Sequence, residues 1–121
     1  MSLATVHPPE PVSANSRSVP ILQSEAEALA VARQLATAFA SEAAQRDRTR
    51  RLPHAELDRF SGSGLWAVSV PKQYGGLGAS MVTITEIFKV ISAADSSIGQ
   101  IPHNHFCVVD AIRLDGTENQ K

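Results

Sequence analysis

The sequence predicts an all-α domain, and three observations carry that prediction. Apolar residues recur at steps of three and four over three stretches, the period of a helix face. Alanine is frequent while aromatics make up only 5%, a composition suited to helices that approach closely. The one compact apolar run outside those stretches, Leu65-Trp66-Ala67-Val68-Ser69-Val70-Pro71, is too short for a stable helix and is stopped by its proline. It reads as a buried extended connector, not as a member of a sheet. The 121 residues suffice for one domain, and the apolar fraction of 43% is that of a globular protein.

In chain order, residues 1–20 carry Pro8, Pro9, Pro11 and Pro20 without apolar periodicity and read as a flexible leader. Residues 21–121 form the domain. Val19 and Ile21 are expected to pack onto it. A capping box, Ser24 with Glu27 three residues on, opens the first helix. Leu29, Ala32, Ala36, Phe39 and Ala43 share one face, so this helix is expected to run to about Arg46. The basic cluster Arg46, Arg48, Arg50 and Arg51, interrupted by Asp47, reads as a solvated helix end. Pro53 suits the first turn of a short second helix, which Leu57 and Phe60 anchor and Gly62 and Gly64 end. After the connector, Gly75, Gly76 and Gly78 call for an irregular tight turn. The third helix, about Ser80 to Ala94, is apolar on more than one stripe through Val82, Ile84, Ile87, Phe88, Val90 and Ile91. Such a helix is central or meets a partner on its second face. The fourth begins at a cap at Ser96 or Ser97 and takes Ile98, Ile101, His105, Val108 or Val109, and Ile112. Pro102 should bend it and Gly116 ends it.

The formal net charge of −1 offers no footprint for nucleic acid or an anionic membrane. No apolar run is long enough to cross a bilayer, and residues 1–20 lack the pattern of a secretory signal, so a cytoplasmic location is expected. The single cysteine, Cys107, lies in an apolar run and reads as a buried small hydrophobe. Neither glycine motif of a phosphate loop is present around Gly75. His103 and His105 point about 200° apart on a helix and cannot share an ion, so no metal is expected. Asp95, Ser96 and Ser97 are explained by local capping.

Gly64-Leu65 through Pro71 to Tyr74-Gly75-Gly76-Leu77-Gly78 resembles a stretch of the acyl-CoA dehydrogenase family, "GL.....P..YGG.G". Glu86 with Ile91-Ser92-Ala93-Ala94-Asp95-Ser96-Ser97-Ile98-Gly99 resembles that family's helix-to-helix passage, and Gly116 to Lys121 resembles the close of its amino-terminal domain. The resemblance covers residues 24–121. Asp47-Arg48, Arg51-Leu52-Pro53 and Gly99 to Phe106 look closest to the sulfur-acquisition oxidoreductases, related to dibenzothiophene-desulfurising flavin monooxygenases.

This resemblance implies the amino-terminal helical domain of the acyl-CoA dehydrogenase fold, about four helices, with the middle β-domain and carboxy-terminal bundle absent from the chain. It implies a flavin-dependent oxidoreductase that takes FAD or FMN in its complete form. The flavin would lie mainly between the later domains, so none is expected to bind this chain alone, and the chain alone is expected to be inactive. The partners implied are those downstream domains, a small-molecule substrate and further copies of the enzyme. Two chemistries share the fold. A monooxygenase oxygenates sulfur in a small organosulfur compound, and a dehydrogenase removes hydrogen from an acyl-CoA thioester. By the same resemblance His105 and Asn104 are the candidate catalytic residues, and His103 and Phe106 the candidates for the substrate or flavin cavity. A stand-alone, non-catalytic helical interaction module is the reading from another class.

Overall fold

The computed structural model describes residues 18–121. Most of the proline-rich leader lies outside the described residues. Those residues form five α-helices and no strand: α1 (Glu25–Ala40), α2 (Ala43–Thr49), α3 (His54–Ser61), α4 (Met81–Ala94) and α5 (Ser96–Asp115). Two short 3-10 turns, Leu65–Ala67 and Lys72–Tyr74, link α3 to α4. The all-α expectation holds.

Ser24 opens α1, its Oγ accepting the Glu27 N–H at 3.1 Å. Glu27 reaches one residue further back than a capping box requires and accepts the Gln23 N–H at 2.7 Å. Ala28, Ala32, Ala36 and Phe39 turn inward, and Leu29 is half-buried beside them. Val19 and Ile21, expected to pack, are exposed, and Leu22 is the buried residue of that segment.

The first helix does not reach Arg46. It stops at Ala40, and α2 starts again at Ala43, which makes five helices where about four were expected. Arg46 supplies the reason. In an unbroken helix the Phe39 carbonyl would accept the Ala43 N–H. The break opens that carbonyl to the Arg46 guanidinium, which donates to it at 2.6 Å. Arg46 is therefore no solvated helix end: it is 4% exposed and also pairs with Glu56 and Asp95. Arg50, at φ 53°, closes α2 in the left-handed region.

Pro53 precedes α3 as its cap, and Phe60 is its buried anchor. The expected extended connector is instead curled, with Leu65 and Val68 fully buried. It curls because the glycine turn folds back onto it. The N–H groups of Leu77, Gly78 and Ala79 donate to the carbonyls of Ala67, Val70 and Val68 at 3.1, 2.8 and 2.8 Å. Gly75 sits at φ 87°, where a side chain is strained. At Gly76 a Cβ would collide with the Val70 and Ala67 carbonyl oxygens.

Ser80 caps α4, accepting the Thr83 N–H at 3.3 Å. Across the fold the Glu25 carboxylate accepts the Ser80 N–H and the Thr83 hydroxyl, each at 2.6 Å. This ties the first turn of α1 to the first turn of α4. Thr83, Ile84, Ile87 and Ile91 are buried, and α4 packs between α1 and α5 as the central helix.

The cap of α5 is Asp95, not Ser96 or Ser97. Its Oδ1 accepts the Ser97 and Ile98 N–H groups at 3.0 and 3.1 Å. Pro102 consequently stands in the second turn, where its missing N–H removes a helical bond. The inward face is Ile98, Pro102 and Phe106, one residue around from the expected stripe. Ile101, Val108 and Ile112 are thereby left exposed. The same rotation corrects Cys107. With Phe106 in the core, the next residue points about 100° away, and Cys107 is exposed.

Candidate functional site

A cleft of about 670 Å³ runs along the groove between α4 and α5. The turn that follows Val68 floors it with Ser69 and Pro71, and the residues leading into α4 add Gly78 and Ala79. Each wall follows from helix periodicity. From α4, Met81, Ile84, Thr85 and Phe88 recur at steps of three, one and three, and their side chains share the flank next to the buried face. From α5, His103, Phe106, Cys107, Asp110 and Arg113 do the same. One wall is apolar and the other carries most of the polar groups.

Those polar groups are largely committed to one another. Arg113 donates through Nε to Asp110 Oδ1 at 2.8 Å, and its second contact to the same oxygen is 2.7 Å. The two charges cancel. Thr85 donates to the Met81 carbonyl at 2.8 Å. Cys107 Sγ lies 3.7 Å from His103 Nε2, and the His103 ring lies 5.0 Å from that of Phe88.

The expected site residues divide between two sides of α5. His103 and Phe106 line the cleft. Phe106 is also a core residue, 6% exposed, so the cleft wall is anchored to the interior. Asn104 and His105 are not among the lining residues. Asn104 is exposed. His105 Nε2 is 2.8 Å from the Trp66 carbonyl, and its ring meets Trp66 edge to face at 4.8 Å. The side chain clamps α5 to the curled connector. Phe88 was visible in the sequence as part of the second apolar stripe of the third helix. Ser69, Asp110 and Arg113 carried no motif, because a folded-back turn and an i, i+3 pair bring them to the cleft.

A second hollow, about 530 Å³, opens where α2 meets the start of α5, beside Arg46, Asp47, Arg50 and Arg51. Arg46 is committed at its inner edge, and Arg51 pairs with Glu42 at 2.6 Å and with Glu56 at 3.7 Å.

Comparison with known proteins places this architecture. The profile described as acyl-CoA dehydrogenase, N-terminal domain, matches residues 23–121. The dibenzothiophene monooxygenase of Rhodococcus erythropolis is 38% identical over 93 residues, 77% of this chain and 22% of that protein. A probable FMNH2-dependent monooxygenase, SfnC, of Pseudomonas putida is 37% identical over 87 residues, 72% and 22% of the two chains. The 3-sulfinopropanoyl-CoA desulfinase of Cupriavidus necator is 36% identical over 92 residues, 74% and 23%. No solved structure matches the chain. The chain thus spans about a fifth of the length of the curated relatives it matches. With its central α4, its glycine turn and its profile match, this chain belongs to the acyl-CoA dehydrogenase family and corresponds to the amino-terminal helical domain.

Proposed function

We propose that the chain forms the amino-terminal wall of the substrate cleft in a flavin-dependent monooxygenase acting on small organosulfur compounds. The observation that carries this reading is the cleft between α4 and α5, with an apolar wall of Met81, Ile84 and Phe88 facing a wall whose charges cancel. Such a site favours a compact, uncharged, mainly apolar molecule. The names of the sulfur-oxygenating relatives support the same class.

The residues present fit one side of a flavin site and no more. The apolar wall suits a ring, but the cleft's one arginine is committed to Asp110, so nothing here grips a flavin phosphate. FMN or FAD would be held by downstream domains, which the short coverage of the relatives supports as partners. When bound, reduced flavin supplies the electrons that activate oxygen. This chain's own residues exclude water through Phe88, Phe106 and Met81, and present His103 to the bound molecule. His105 and Asn104 belong to the side of α5 turned from the cleft. In this reading they meet flavin or substrate where a downstream domain wraps that side. Residues 21–121 are the folded unit and residues 1–20 a leader. The complete enzyme is a cytoplasmic homo-oligomer, and this chain alone is inactive.

The test is turnover of the full-length protein with reduced flavin, labelled oxygen and a small sulfide or sulfone. Label entering the organosulfur product is expected. Its absence, with flavin bleaching by an acyl-CoA without oxygen, would establish the second reading, a thioester dehydrogenase, which the description of the matching family favours.

A further inference from the structure

We propose that Arg113 sets the length of ligand that the cleft between α4 and α5 accepts, by walling off a smaller apolar hollow that would otherwise take the alkyl chain of a longer organosulfur compound. The proposal rests on the cleft being the substrate site and names what limits that substrate.

The smaller hollow, about 150 Å³, lies between the last turns of α5 and the residues that enter the glycine turn. Val70 and Tyr74 line it from the turn, and Val109 and Ile112 from the helix. Pro71 and Arg113 border this hollow and the cleft alike. These two residues, one from the turn and one from α5, form the partition. Helix geometry agrees. Asp110 on the cleft and Ile112 on the hollow stand about 160° apart around α5, with Arg113 between them.

The ion pair fixes the course of the arginine side chain. Nε and Nη2 approach Asp110 Oδ1 at 2.8 and 2.7 Å, and Asp110 borders the cleft but not the hollow. The guanidinium accordingly stands on the cleft side, and its stem spans the boundary. The side chain is 45% exposed, so a ligand in the open cleft can reach it. Such an exposed pair contributes little to stability, and its loss leaves the fold intact. Lys121, the hollow's other charged edge, contacts Glu118 at 3.8 Å. The surface behind the partition is otherwise apolar, and methylene groups gain by leaving water for it.

The experiment is binding of dimethyl sulfone and di-n-butyl sulfone to the full-length protein and its variants, with thermal unfolding of each. Arg113→Ala is expected to bind the longer sulfone about tenfold more tightly than wild type, the gain from burying about two further methylene groups. Affinity for dimethyl sulfone and Tm should change little. Asp110→Asn, which frees the arginine without removing it, should move the preference the same way but less far. Ile112→Phe added to Arg113→Ala fills the hollow and should cancel the gain. A preference for length unchanged in both Arg113→Ala and Asp110→Asn overturns the proposal and leaves the cleft reading standing. A gain shared equally by both sulfones, or one that survives Ile112→Phe, also overturns it, because the hollow then takes no part. Failure of the wild type to bind dimethyl sulfone overturns the cleft reading and this proposal with it.

Discussion

Arg46 and Asp95 lie 49 positions apart in the chain, and their side chains meet at 2.8 Å. One Asp95 oxygen takes the guanidinium while the other caps α5. Arg46 also holds Glu56 of α3 and the last turn of α1, so one side chain fixes three helices against the helix that carries the cleft.

Removing that guanidinium takes the cation from the part-buried Asp95 and leaves the buried Glu56 with only the longer contact to Arg51 at 3.7 Å. Arg46→Met is expected to cost about 3–5 kcal/mol in urea unfolding. Asp95→Asn keeps a capping oxygen and isolates the charge, while Asp95→Ala should cost about 1 kcal/mol more through the lost cap. A loss below about 1 kcal/mol for Arg46→Met would put the pair with ordinary surface ion pairs.

The glycine turn separates two kinds of constraint. Around Gly75 there is open space, so Gly75→Ala carries only backbone strain, about 1 kcal/mol. Gly76→Ala drives a methyl into two carbonyl oxygens of the connector and is expected to cost about 3 kcal/mol. Equal unfolding midpoints for the two variants would contradict the folded-back geometry.

Glu25 is held below the ordinary glutamate pKa, chiefly by the Thr83 hydroxyl and then by the Ser80 N–H, with burial opposing. A depressed folded pKa contributes stability above the unfolded value of about 4.3, and that stability is lost as pH falls through the folded value. Wild type should therefore exceed Glu25→Gln in Tm at neutral pH and converge with it in acid. A gap that persists at low pH would remove the carboxylate's charge from the account.

The two histidines should respond differently. In the complete enzyme His103→Ala is expected to lower turnover about tenfold through lost transition-state contact, with the unfolding midpoint unchanged. His105→Ala should cost about 1 kcal/mol of stability, because it removes the bond to the Trp66 carbonyl, and should lower turnover as well. Unchanged turnover in both would clear α5 of a part in the chemistry.

Much of this was legible from local rules. Ser24, Gly62, Ser80 and Gly116 mark helix ends where capping chemistry puts them. The doubled apolar stripe of α4 pointed to a central helix or one that meets a partner, and α4 packs between α1 and α5. The sequence misled where tertiary contacts outweighed local pattern. Nothing near Arg46 announces partners 10 and 49 residues away, so the break at Ala40 was hidden. The stripe through Ile101 and Val108 was as regular as the true one through Pro102 and Phe106, and only packing against α4 chooses between them. Ser69 reached the cleft through backbone pairing of a turn, which no side-chain spacing encodes.

The exposure of Cys107 has a practical consequence. It is the chain's sole thiol and it stands at the edge of the cleft. A maleimide dye will mark this chain at one defined point without mutagenesis. Its emission becomes a gauge of the local environment, brightening or quenching as a ligand enters or another domain closes over the groove.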